Sequence, residues 1–198
     1  MGLHAHIVRG KVNMCRGADR GWRGAVLAVA MLWLAACSPT HNWREVRHEG
    51  TPVLALLPCK PDRAEREVPL LGPDQPLARL QMMSCDVQGR TYVLAALALP
   101  AAQPAGEALA RWRQAAWTSL RQTVPAQASA PPGWTQVPTP ASAAQHWRGP
   151  AVDHRGQALQ AEVLWLAAPG WLAQAAVYAP QVDADARQTF FESVRLSP

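Results

Sequence analysis

Between residues 51 and 99 the apolar positions fall into three short runs. Thr51–Pro58 (TPVLALLP) is a continuous run closed by a proline, the pattern of a buried strand. Leu77–Asp86 (LARLQMMSCD) and Thr91–Leu99 (TYVLAALAL) predict two more strands, joined by the tight turn Val87–Arg90 (VQGR). From Gly106 the spacing changes. Leu109, Trp112, Ala116 and Leu120 recur at helical intervals while Arg111, Gln114 and Arg121 lie off that stripe. This predicts a helix over Gly106–Val124, ended by Pro125.

The second half follows the same plan. Gln145–Val152 (QHWRGPAV) predicts a strand with an irregularity at Gly149-Pro150, and Asp153–Gly156 (DHRG) predicts a turn. Leu159–Ala167 and Trp171–Tyr178 flank Ala168-Pro169-Gly170, a short hairpin loop. Asp183 and Asp185 then suit a helix N-terminus, and Ala186, Phe190 and Val194 continue it at helical spacing. Strands followed by a helix, twice over, predict an α+β fold with two main helices packed on an antiparallel sheet. Between the halves, residues 125–144 (PAQASAPPGWTQVPTPASAA) form an uncharged, proline-rich loop. Trp134 is out of place in a pure linker. It either pins the loop to the domain or lines a groove for a partner.

The chain opens differently. Arg9, Lys11, Arg16, Arg20 and Arg23 face a single Asp19, and an uncharged run, Gly24–Leu34 (GAVLAVAMLWL), follows. A positive region, a short apolar core and small residues describe an export signal, and the run is too short for a comfortable transmembrane helix. Met14 is an alternative start. Leu34-Ala35-Ala36-Cys37 resembles the lipobox of bacterial lipoproteins. That resemblance implies removal of residues 1–36, a diacylglycerol thioether on Cys37 and an acyl chain on its freed amine. Several chains together hold a protein firmly on a membrane where one does so marginally. Ser38 in place of aspartate implies the outer membrane, on its periplasmic face. Residues 37–47 are then a lipidated tether, with Trp43–Val46 opening the first strand, and residues 48–198 a single periplasmic domain.

This division changes the meaning of the charge. The whole chain carries a formal +5, but 14 basic and 13 acidic residues remain from Cys37 onward. The basic excess belongs to the leader, so nucleic acid is not an expected partner. The composition, 49% hydrophobic and 17% charged, excludes a disordered tail, a collagen-like repeat and a polytopic membrane protein.

Of four cysteines, Cys15 leaves with the leader and Cys37 takes lipid. Cys59 and Cys85 remain in an oxidising compartment, which predicts a disulfide closing a loop of about 27 residues. A reactive or metal-binding role is the alternative, although neither sits in a C-x-x-C or near a histidine.

Candidate chemistry is sparse. Lys60–Glu67 (KPDRAERE) concentrates charge after Cys59, so Lys60, Asp62 and Arg63 are candidate partner-binding or anion-binding residues. Alternating signs in a loop also describe a solvated surface. His41 and His48 fall in or beside the tether and read as exposed. His146 and His154 fit no metal-ligand spacing, and no hydrolase, phosphate-loop or dinucleotide motif occurs. No cofactor is expected beyond the lipid on Cys37. Most of the seven tryptophans from Trp43 onward should be core; the functional alternative is one of them lining an aromatic cleft.

Trp43–Val46, Pro58–Arg63, Val68-Pro69-Leu70 and Cys85 resemble small lipoproteins of beta-proteobacteria that carry no assigned activity. Phe190–Leu196 (FFESVRL) resembles the end of PsbP-like α/β sandwiches, which are binding and assembly modules. The resemblances imply a lipid-anchored, non-enzymatic binding or assembly module with an envelope protein as partner; its oligomeric state is left open. A carrier of a small amphipathic ligand would need an apolar pocket between sheet and helices. An enzyme would need His146 or His154 joined to a carboxylate in a pocket.

Overall fold

A computed structural model describes residues 41–139, 144–181 and 183–196. The leader, Cys15 and Cys37 therefore lie outside the described residues. Among the described residues the ten strands are β1 (Arg44–Arg47), β2 (Val53–Leu57), β3 (Asp62–Val68), β4 (Ala78–Val87), β5 (Arg90–Ala98), β6 (Thr135–Gln136), β7 (Ala144–Val152), β8 (Ala158–Ala168), β9 (Trp171–Ala179) and β10 (Arg195–Leu196). The helices are α1 (Ala105–Ser119) and α2 (Ala184–Ser193). The fold is α+β, as the pattern predicts. A seven-stranded antiparallel sheet has the order β3-β4-β5-β9-β8-β7-β6, and a smaller sheet the order β1-β2-β10.

The central strands β5 and β9 are buried on both faces, which explains their unbroken apolar runs. Alternation sends Ala95 and Leu97 of β5 and Leu172 and Ala176 of β9 toward one face, with α1. Tyr92, Leu94 and Ala96 of β5 and Ala173, Ala175 and Val177 of β9 face the other way, with α2 and the small sheet. The two helices thus cover opposite faces of one sheet. Alanine recurs on both sides of these strands, and its small side chain lets a layer approach from each.

Helix α1 buries Leu109, Trp112, Ala116 and Trp117. Each large side chain among them contributes about 1.5–3 kcal/mol by leaving water. The helix ends at Ser119, five residues before the predicted boundary. Arg121 adopts a left-handed conformation (φ 58°). This lets the Arg121 and Gln122 amides donate to the carbonyls of Thr118 and Trp117, a closed helix terminus that needs no proline. Helix α2 starts as expected, with the Asp183 carboxylate accepting from the amides of Asp185 and Ala186.

Arg44–Arg47 forms a strand where Trp43–Val46 was expected to open one, and it pairs antiparallel with β2. Two expectations are corrected. The charged segment after Lys60 is not a loop; Asp62–Val68 is the edge strand of the large sheet. An edge strand has little core contact, so charge does not exclude the extended conformation. Gly149-Pro150 does not interrupt β7, whose register with β8 runs unbroken from Ala144 to Val152. Pro150 is tolerated because β6 stops opposite Arg148, leaving that side of β7 unpaired.

Candidate functional site

Two places concentrate chemistry. The first lies on the α1 face, where Trp112 leans over β3, β4 and β5. The groove has a volume of about 300 Å³, with Leu80, Met82, Val93 and Ala95 among its walls. Gln174 and Tyr178, on the same face of β9 with Ala176 between them, supply its polar floor. Burial pushes the Tyr178 phenol up to about 12, against a hydrogen bond with Gln174 that favours ionisation. Tyr178 is therefore a neutral hydrogen-bonding group at any physiological pH. Apolar walls with a few convergent polar groups suit an amphipathic ligand.

The groove opens at β3, where Asp62 and Arg63 reach its rim. Six of the seven β3 residues are exposed, and the strand forms the outer edge of its sheet among the described residues. Lys60 lies just ahead of it, also exposed. Strand alternation points the Asp62 and Arg63 side chains to opposite faces, so the two do not form one anion site with Lys60. Arg63 instead approaches Glu49 at 3.7 Å, and Glu65 pairs with Arg79. Cys59 and Cys85 stand at disulfide distance, Cα atoms 5.9 Å apart. That link ties the segment before β3 to the inner face of β4.

Trp134 lies elsewhere. It is buried against Trp117, ring centroids 6.3 Å apart, and its indole N–H donates to the Pro150 carbonyl at 3.0 Å. It pins the proline-rich loop to the domain. Trp117 also meets Trp147 and Trp165 edge to face, and Arg113 covers its ring at 5.2 Å.

The second place is on the α2 face. Glu162 is buried in the middle of β8, where Arg187 of α2 donates to both carboxylate oxygens at 3.0 and 3.2 Å. His146 Nε2 of β7 lies 2.8 Å from Oε1, without the alignment of a linear hydrogen bond. Burial pushes the carboxyl upward, but His146 and Arg187 together outweigh it and hold Glu162 below its ordinary value. An ionised carboxylate already engaged by two cation-forming groups is a weak proton acceptor. The arrangement fastens α2 to the sheet. His146 also packs on Phe191, centroids 4.5 Å apart. A surface depression of about 500 Å³ beside it includes His146, Arg187 and Phe191 in its lining.

His146 thus does meet a carboxylate, whereas His154 sits in an exposed turn beyond the far end of β7, about 20 Å along the strand. His48, expected to be exposed, is buried, and neither ring nitrogen has a hydrogen-bond partner among the described residues. Glu162 was legible as a signal: it is the single charge inside the apolar run Leu159–Ala167. Gln174 carried a similar mark, the one amide inside the run Trp171–Tyr178, whereas nothing marked Tyr178. Among the described residues no three His, Cys, Asp or Glu side chains gather as metal ligands, and no helix is long and apolar enough to cross a membrane.

No family model matches the chain, and no curated protein matches it.

Proposed function

We propose that the chain is a lipid-anchored, non-enzymatic binding or assembly module of the bacterial envelope, held by Cys37 on the periplasmic face of the outer membrane. The single observation that carries the binding role is the exposed edge strand β3. Its outer backbone groups are available to another chain, and its charges set which chain fits. The lipobox resemblance supports the anchor. The resemblance of Phe190–Leu196 to PsbP-like modules supports binding over catalysis.

A photocrosslinking residue at Arg66, introduced into the full chain in intact cells, tests the role. Adducts with a discrete envelope protein or with another copy, absent when the crosslinker replaces Gln188 on α2, are the expected result. Equal labelling from both positions overturns it. Cys37→Ala tests the anchor and should move the protein from the membrane to the periplasmic fraction. Membrane retention of that variant would reject the lipoprotein assignment.

A second reading is favoured by the groove under Trp112: carriage of a small amphipathic ligand, its apolar part against Leu80, Met82 and Val93 and its polar end at Gln174 and Tyr178. Lipid extracted from the purified protein and lost on Ala95→Trp would support it. An empty extract, with wild type and variant alike, would end it.

A further inference from the structure

The inference rests on the binding-module reading and names its partner: we propose that β3 pairs antiparallel with β3 of a second copy, about a twofold axis at Ala64, to form one continuous sheet. The charge order of the strand carries this. From Asp62 to Arg66 the signs run minus, plus, neutral, minus, plus. Turned antiparallel on itself about Ala64, that order sets Asp62 opposite the partner's Arg66 and Arg63 opposite the partner's Glu65. Symmetry repeats both pairs, so four opposite-charge pairs surround an Ala64–Ala64 centre.

The fit is specific to this register. In an edge-to-edge twofold pair, opposed residues share a face, so the register can shift only in steps of two. One step places Arg63 against Arg63, and the other places Glu65 against Glu65. Faces are also consistent. Asp62, Ala64 and Arg66 lie opposite Ser84, Met82 and Leu80 on the α1 face, and Arg63 and Glu65 lie on the other. Each face of the joined sheet then carries two of the four pairs.

Charged edge strands ordinarily prevent this kind of pairing, because a random charge order meets like charges. Here the order is its own complement. Neither Asp62 nor Arg66 has an ion-pair partner among the described residues, so that pair is available at no intramolecular loss. Pro61 and Pro69 flank the strand and limit the ladder to its charged segment. The small side chain of Ala64 matters too, since directly opposed residues approach to about 4.5–5.5 Å between Cα atoms.

That spacing is compatible with a disulfide, which gives the test. The full lipidated chain in detergent is compared as Ala64→Cys, Arg63→Cys and Arg66→Cys under mild oxidation. Only Ala64→Cys should form a covalent dimer, because only residue 64 faces itself. In parallel, sedimentation is read for Arg66→Asp and for Asp62→Arg/Arg66→Asp. The single reversal should weaken the dimer by about tenfold or more, since it turns two attractive pairs repulsive. The double reversal restores complementarity and should restore the dimer. A wild-type monomer throughout the micromolar range overturns the proposal, as does equal crosslinking at positions 63, 64 and 66. A monomer whose Arg66 crosslinker captures a different envelope protein rejects self-pairing while leaving the binding module standing. A monomer with no adduct rejects both.

Discussion

The indole of Trp134 rests on the bare Cα of Gly149: a methyl built there would lie 2.5 Å from Cγ of the ring. The glycine serves a close approach between a loop and the face of a strand. Gly149→Ala should therefore destabilise the domain by about 1–3 kcal/mol through overpacking. Trp134→Ala should cost about 3–5 kcal/mol by emptying the same space. Chemical unfolding of the two single variants and the double variant tests the coupling. Full additivity would mean that the two positions do not share a contact energy.

Glu162 makes a pH prediction. Its folded carboxyl lies below its ordinary value of 4.5, so it contributes stability above that pH and loses it as the pH falls through 4.5 and below. Glu162→Gln should lower stability at pH 7 by about 1–3 kcal/mol, since Arg187 keeps partial access to water. The variant should also lose less stability between neutral and acid pH than wild type does. Urea midpoints at several pH values decide; parallel curves for the two proteins would reject the assignment.

Arg121 occupies a left-handed backbone position that β-branched side chains resist and glycine accepts. Its guanidinium donates to the His154 carbonyl at 3.2 Å on the surface, a modest compensation. Arg121→Gly should be neutral to stabilising, up to about 1 kcal/mol, while Arg121→Val should be destabilising by about 1–2 kcal/mol. Thermal unfolding should rank glycine above arginine above valine. Valine equal to arginine would show that the helix end tolerates any residue.

Cys59 and Cys85 close a loop spanning a sequence separation of 26. In the chain-entropy model, replacing both by alanine should lower stability by about 3–4 kcal/mol. Reduced wild type should unfold at the same denaturant concentration as the double variant. A reductant that leaves the wild-type midpoint unchanged would show that the link contributes nothing.

Elements that bury an apolar run or a periodic face were legible from the residues, and those held by context were not. β5 and β9 declare themselves as unbroken apolar runs buried on both faces, and α1 by the helical spacing of Leu109, Trp112 and Ala116. β3 carries no such record: its partner is β4, and its side chains see mostly water, so Asp62–Glu67 reads as a loop. The two-residue strands β6 and β10 are too short for any period. At Gly149-Pro150 the local signal pointed to a break, and the absence of a neighbour beyond Arg148 removed the reason for one. The candidate site shows the same limit. Asp62 and Arg63 were marked by charge alone, but which faces they take depends on strand pairing. The groove under Trp112 depends on residues from five elements, and no stretch of sequence contains it.

β2 receives β1 on one side and β10 on the other, and Arg195 reaches Glu45 across a sequence separation of 150. During synthesis, β2 therefore acquires its second neighbour only after Arg195 and Leu196 have emerged. Until then Val53 and Leu54 lie on an open strand edge, a condition under which a nascent chain is prone to wrong pairing. Closure by a two-residue strand is small in area and falls late in the order of synthesis. Any factor that escorts this chain has to act before residues 195 and 196 arrive.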